Sequence, residues 1–202
     1  MAGTAANILV SPAQVYISPT GTALPDETTV AAGASWGASW TDLGYTLTPL
    51  AMGVEMETFE LEVEQTPNPV AMLQTKQTAS FEVTLAELTA ANLKYALSSR
   101  TTIVTVAAAA NQHGFDTLKV GGDTQIPTYQ LGFEGVQLDA NGNKLVKRVF
   151  IYKAILTMGG KLEFSKKAAA GIPLQVMAIA DTSKTAGEQL FEIQFVTAWK
   201  TS

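Results

Sequence analysis

The largest group of side chains that could do chemistry in this sequence is a run of five acids: Glu55, Glu57, Glu60, Glu62 and Glu64. Paired carboxylates can hydrolyse glycosides, and clustered carboxylates can bind calcium. Both kinds of site need groups in different environments, or oxygens that converge from a tight loop. A regular ladder of glutamates along one strand provides neither arrangement. We therefore expect either a solvated strand face or a surface that repels a polyanion.

The remaining candidates for catalysis are few. His113 is the single histidine and there is no cysteine, so histidine or thiolate metal clusters are excluded. No Gly-x-Ser-x-Gly segment is present to hold a nucleophilic serine. Gly159-Gly160-Lys161 lacks the upstream glycine and the following Ser/Thr of a phosphate-binding loop. The sequence predicts no catalytic residues, no metal site and no cofactor, and hence a protein that is not an enzyme.

The glutamates lie on a segment that predicts a β-strand, because residues 54–64 alternate between apolar and acidic side chains. The alternation slips once, and a bulge near Thr58 would place all five carboxylates on one face. Residues 77–85 alternate as well and predict a second strand, with Glu82 on its exposed face. The two strands would form a hairpin whose long connection spans 65–77.

That connection carries an apolar cluster: Val70, Ala71, Met72 and Leu73. Exposed apolar side chains on a long loop favour association, so something must cover them. The cover is either a partner or the remainder of the same subunit.

Elsewhere the pattern indicates a mainly β chain. Residues 89–99 predict the one helix, with Thr89 as its N-cap. Further strands are predicted at 114–120, 129–137, 144–157, 172–180 and 189–198, with a first strand within 8–18. We expect a single domain, 1–202, folded as a β-sandwich or barrel of about seven or eight strands with one flanking helix.

An extended loop is predicted at 19–44, because this stretch is rich in Gly, Pro, Ser and Thr and has no sustained period. Trp36 and Trp40 provide apolar anchors that a flexible linker would lack. They pack either on the domain's own core or on a neighbour.

Composition points towards self-assembly. Only 15% of the 202 residues are charged, against about a quarter in typical soluble domains, so we expect part of the surface to be covered. The net charge of −5 argues against a general nucleic-acid binder. No signal peptide is evident at the start, and no apolar run approaches the ~18 residues that a membrane span needs.

Charge is also distributed unevenly. Residues 1–99 hold ten acids and two lysines, whereas 144–167 hold seven bases and one acid. Bases concentrated there would either form one end of a stacked polymer or cover a solvated outer face.

Several segments in order resemble the tail tube (major tail) proteins of long-tailed, non-contractile bacteriophages. Residues 15–25 (VYISPTGTALP) resemble that family's opening strand and Pro-x-Gly-Thr turn, and 40–46 (WTDLGYT) resemble a recurrent Trp-Thr-x-Leu-Gly-Tyr-Thr segment. The acidic strand, the second strand and the helix follow in the same order. Residues 150–154 (FIYKA) and the strand containing Pro173 also match, so the resemblance covers nearly the whole chain.

The resemblance implies a structural protein of the virion, made in the host bacterial cytoplasm. Its subunits would form hexameric rings stacked into a tube through which double-stranded DNA passes without specific binding. Tape-measure and tail terminator proteins would be its partners, with no membrane involved. In such a tube the acidic strand face, with Glu82, would line the lumen, and the apolar cluster of the connection would touch the next ring.

Two other classes of protein are compatible with the sequence. A tail terminator or a head–tail connector ring protein would share the architecture. A secreted β-sandwich adhesin or carbohydrate-binding module would share the fold class, although the absence of a signal sequence counts against it.

Overall fold

A computed structural model describes residues 13–26, 28, 30–138, 142–166 and 169–197. Its main feature is one eight-stranded antiparallel sheet in the order β2-β1-β7-β8-β9-β4-β3, with β10 also paired to β8. The strands are β1 Gln14–Pro19, β2 Thr41–Asp42, β3 Ala51–Leu61, β4 Ala71–Leu85, β5 Val104–Val106, β6 Phe115–Thr117, β7 Tyr129–Leu138, β8 Lys144–Met158, β9 Ile172–Ala178 and β10 Phe191–Phe195. Strands β5 and β6 form a separate two-stranded hairpin.

The sheet folds over itself because β8 is long enough to belong to two layers. Its first half pairs with β10, and its second half pairs with β9 along the same edge. The layer β2-β1-β7-β8-β10 therefore faces the layer β8-β9-β4-β3. Phe81 of β4 and Phe133 of β7 stack between the layers with ring centroids 5.7 Å apart. The expected β-sandwich is confirmed.

The core between the layers is formed by every second side chain along the strands. On β4, Phe81, Val83 and Leu85 are buried while Glu82 is exposed, as predicted. On β10, by contrast, Phe195 is 59% exposed, whereas Glu192 is half-buried and accepts a hydrogen bond from the Tyr152 hydroxyl.

One helix, α1, occurs in the described part of the chain, at Ala90–Ala96. Thr89 caps it as predicted, since its side chain accepts a hydrogen bond from the Asn92 N–H. The helix ends earlier than the predicted 89–99, because Ser98 adopts a positive φ of 51°. It closes one end of the sandwich by packing against β8 and β9.

The loop between β1 and β2 is ordered by the domain itself. Trp36 and Trp40 are 4% and 7% exposed and pack with Tyr16 and Phe150 on the outer side of the β1-β7-β8 layer. Gly132 makes this possible, because a Cβ at that position would overlap the Trp36 ring. Of the two alternatives for the tryptophans, packing on their own subunit is correct.

Candidate functional site

The acidic face is formed by Glu55, Glu57 and Glu82, on the side of the β3–β4 hairpin that points away from the core. The register pairs Glu82 with Ala51, and Glu55 and Glu57 follow Ala51 at even spacing on the same strand. Between them lie small polar side chains, Thr78 opposite Glu55 and Ser80 on the same face. The structure therefore brings three of the six predicted carboxylates onto one surface.

A register shift occurs where the sequence predicts a bulge, between Glu57 and Thr58. However, Glu57 pairs with Lys76 and Thr58 with Gln74, so the extra residue is Thr75 of β4 rather than a residue of β3. Gln74 and Gln77, three residues apart, share a hydrogen bond across this bulge at 3.2 Å.

This position of the bulge corrects the predicted ladder. Because β3 itself alternates without interruption, Glu60 lies on the opposite face from Glu55 and Glu57. Glu62 and Glu64 follow the end of β3 at Leu61 and belong to the connection. The five glutamates of 55–64 therefore do not form one ladder.

The acidic face also contains a base that the pattern of residues 55–64 does not reveal. Lys76 Nζ lies 2.8 Å from Glu57 Oε1, and both side chains are exposed. The hydrogen bond to Glu57 raises the pKa of Lys76. Glu55 and Glu82 thus provide the net negative charge of this face, and the Gln175 amide donates a 3.3 Å hydrogen bond to Glu82.

The far half of the β3–β4 hairpin extends beyond the sandwich. Its connection is shorter than the predicted 65–77 and comprises residues 62–70, because β4 already begins at Ala71. Sequence reasoning misses this part of β4 because neither of its faces is buried, which removes the alternation that marks a strand.

The apolar cluster of this hairpin is uncovered in the single subunit. Val70, Met72 and Leu73 are 51%, 61% and 56% exposed, and Ala71 is partly exposed. Leu73 pairs across the hairpin with Phe59, and Ala71 pairs with Leu61. The alternative that the cluster packs back on its own subunit is therefore not found in the described structure.

Strand β3 ends the sheet, with β4 as its only strand partner in the described part of the chain. It is eleven residues long and exposed throughout. A long exposed edge with unpaired N–H and C=O groups readily adds a strand from another chain.

A second polar cluster, which sequence reasoning misses, lies under the β1–β2 loop. Glu134 accepts hydrogen bonds from the Gly33 N–H at 2.8 Å and from the Trp36 indole at 3.2 Å. Arg148 Nε lies 2.7 Å from the same carboxylate and Arg148 Nη2 donates to the Val30 carbonyl. Arg148, one of the seven bases of 144–167, is consequently buried rather than on an exposed surface. This cluster fixes the loop and is not a reactive site.

Other candidate groups do not converge. His113 is exposed near the turn of the β5–β6 hairpin. No three His, Cys, Asp or Glu side chains within the described ranges lie close enough together to hold a metal. No helix in these ranges is long and apolar enough to cross a membrane.

The projecting hairpin and the exposed edge strand of this sandwich are surfaces of the kind through which structural proteins assemble. In agreement with this, the model of the family described as Phage tail tube protein matches residues 1–193. The chain belongs to the phage tail tube protein family and is a structural component of the virion; this family is not an enzyme family. No curated protein matches the chain.

Proposed function

We propose that this subunit polymerises as stacked hexameric rings into the tail tube of a non-contractile, long-tailed phage, and that the tube conducts DNA into the host. The observation that carries the proposal is the uncovered β3–β4 hairpin. This hairpin combines an eleven-residue free edge with the apolar cluster Val70–Leu73. The chain that carries it belongs to the tail tube protein family.

The free edge of β3 supports the proposed closure of subunits into a ring. Joining the β3 edge of one copy to a sheet edge of the next would satisfy its backbone groups, and a closed ring would leave no such edge exposed. Rings joined by a head-to-tail contact form an open-ended stack. The apolar cluster is the proposed contact between rings, since it lies at the far end of the hairpin, beyond the sandwich.

The acidic face of Glu55, Glu57 and Glu82 is the proposed wall of the lumen. A wall with net negative charge prevents multivalent adhesion of DNA phosphates, so that DNA can slide. Glu60 lies on the other face of β3 and Glu62 and Glu64 lie in the connection. We therefore assign these three to the surroundings of the inter-ring contact rather than to the lumen.

The same proposal includes a tape-measure protein inside the growing tube, a terminator at its end, synthesis in the bacterial cytoplasm and no catalytic activity. Negative-stain electron microscopy of the concentrated, purified protein tests it. Tubes of uniform diameter support the proposal. Single closed rings would indicate a terminator or connector instead, and monodisperse monomers at all concentrations would contradict it.

A further inference from the structure

A second exposed surface lies at the end of the sheet opposite the hairpin connection. The segment that follows β2 forms one part of this surface. The Leu47 N–H donates to the Thr84 carbonyl and the Ala86 N–H donates to the Tyr45 carbonyl, which fixes this segment at the C-terminal end of β4. Tyr45 is 81% exposed and Leu47 is 48% exposed. Two large side chains therefore face solvent at this end.

The loop between β8 and β9, residues 159–171, lies at the same end. Strand β9 begins with Ile172, which pairs with Leu85, and Gly171 lies close to the side chains of Thr84 and Leu47. Within this loop Phe164 is 76% exposed, and Lys161 and Lys166 are exposed as well. We call Tyr45, Leu47, Lys161 and the exposed loop residues 163–166 the acceptor surface.

The two surfaces cannot meet within one subunit. Ala71, next to the connection, and Leu85, beside the acceptor surface, are the two ends of β4. A strand of this length spans on the order of 45 Å at about 3.3 Å per residue. A contact between them must therefore join two copies head to tail, which is the heterologous arrangement that builds an open polymer.

The two surfaces also complement each other in charge. Residues 58–75 contain Glu60, Glu62 and Glu64 and no base. The loop 159–171 contains Lys161, Lys166 and Lys167 against Glu163 alone. Both surfaces expose large apolar side chains beside these charges, so an apolar contact would be surrounded by opposite charges, which fix the orientation of docking.

We propose that the acceptor surface receives the β3–β4 hairpin end of a second copy of this chain. The inference rests on the proposed function and adds the identity of the surface that the hairpin meets. Of the seven bases in 144–167, the proposal selects those of the loop. Arg148 is buried against Glu134, and Lys144, Lys147 and Lys153 lie on β8.

The β5–β6 hairpin is a weaker acceptor. It exposes Val104 and Phe115, each at 54%. Residues 104–117 contain one acid, Asp116, and no lysine or arginine. The hairpin therefore offers apolar area without the excess of positive charge that an acidic hairpin end would select.

The first test is a pair of charge reversals in the full chain. E60K/E62K/E64K on the hairpin, or K161E/K166E on the loop, should each raise the concentration needed for tube formation at least several-fold. A chain carrying both sets regains opposite charges and should polymerise close to wild type. K144E/K147E is the matched control and should leave assembly unchanged. Failure of the combined chain to recover would overturn the proposal.

The second test does not depend on the charge variants. Because the chain lacks cysteine, V70C/F164C introduces the only thiols, and oxidation of assembled tubes should give covalent ladders on a denaturing gel. V70C/V104C is the control and should remain monomeric on the gel. Tubes without ladders from the first pair, or ladders from the control pair alone, would overturn the proposal while the proposed function stands. Absence of tubes from the wild-type protein would contradict the proposed function itself.

Discussion

Arg148 and Glu134 form an ion pair in the interior of the subunit, with Nε and Oε2 2.7 Å apart and side chains only 2% and 0% exposed. The two residues face each other across β7 and β8. Glu134 also accepts two hydrogen bonds from the β1–β2 loop, so the pair connects the loop to the sheet. An internal charge of this kind is tolerated only while its partners remain in place.

Replacing Glu134 with Ala should therefore destabilise the subunit by about 3–5 kcal/mol, because it leaves a buried guanidinium without its carboxylate. Urea unfolding followed by tryptophan fluorescence measures this, since Trp36 donates to the same carboxylate. The matched control is Glu57→Ala, which removes a carboxylate from a pair of similar length, 2.8 Å, on the exposed surface. It should change the unfolding midpoint little, and equal losses of stability in both variants would contradict the assignment.

A strand of this fold can be predicted from the sequence where only one of its two faces is buried. Phe81, Val83 and Leu85 alternate with polar residues because one face of β4 meets the core, and that pattern is visible in the sequence. The preceding residues of β4, exposed on both faces, carry no such pattern, so the sequence predicts a loop there. Alternation of apolar and polar residues reveals a strand only where one of its faces contacts the core. It does not reveal the part of a strand that extends beyond the core.

The candidate site can be predicted only in part from the sequence, because the register between two paired strands depends on both strands. The phase slip near Thr58 correctly locates the irregularity, but the sequence of one strand cannot show that the extra residue, Thr75, belongs to its partner. Glu134 and Arg148 are fourteen residues apart in sequence. They become neighbours only through the pairing of β7 with β8, so the sequence pattern singles out neither.

The lumen assignment predicts a defect in DNA ejection when the acidic face becomes basic. E55K/E82K reverses the two carboxylates that carry the net charge of the face and leaves the Lys76–Glu57 pair intact. Multivalent phosphate binding to such a wall should slow ejection at low salt, with partial recovery as salt rises. Ejection can be followed by dye fluorescence after receptor addition, in phage whose tubes are verified by microscopy.

Two controls make this test specific. E55Q/E82Q removes the negative charge without adding positive charge and should have a smaller effect. Glu188→Lys reverses an exposed carboxylate outside the β3–β4 hairpin and should eject normally. Normal ejection by E55K/E82K would place these residues outside the lumen.

The apolar cluster predicts a defect in polymerisation while the subunit remains folded. In V70S/M72S/L73S the side chains that change are at least half exposed, so the subunit should keep its unfolding midpoint. Removing a large apolar side chain that is buried between rings weakens their association by on the order of 1 kcal/mol or more, and 1.4 kcal/mol is a tenfold change in affinity. The critical concentration for tube formation, measured by light scattering, should therefore rise more than tenfold.

The control for this variant is V104S/V120S, which changes two similarly exposed valines outside the β3–β4 hairpin. It should polymerise at nearly the wild-type concentration. If the cluster variant assembles as well as this control, the cluster is not an inter-ring contact.

Tyr16 predicts how stability changes in alkali. Burial, followed by the negative charges of Asp42 and Glu134, raises the pKa of Tyr16 to about 12, against about 10 in an unfolded chain. Because the folded state holds this proton more tightly, the contribution is fully present below pH 10 and is lost as the pH rises from 10 to 12.

Tyr16→Phe should therefore flatten the fall of unfolding free energy with pH in this window, since the variant has no proton to lose at that position. Between pH 9 and pH 12 the wild type should lose on the order of 2–3 kcal/mol more unfolding free energy than the variant, because each unit of pKa shift corresponds to about 1.4 kcal/mol. Urea unfolding at several pH values measures it. Tyr45→Phe, at a position that is 81% exposed, is the control and should follow the wild-type curve. Parallel curves for wild type and Tyr16→Phe would show that alkali destabilises the subunit through other groups.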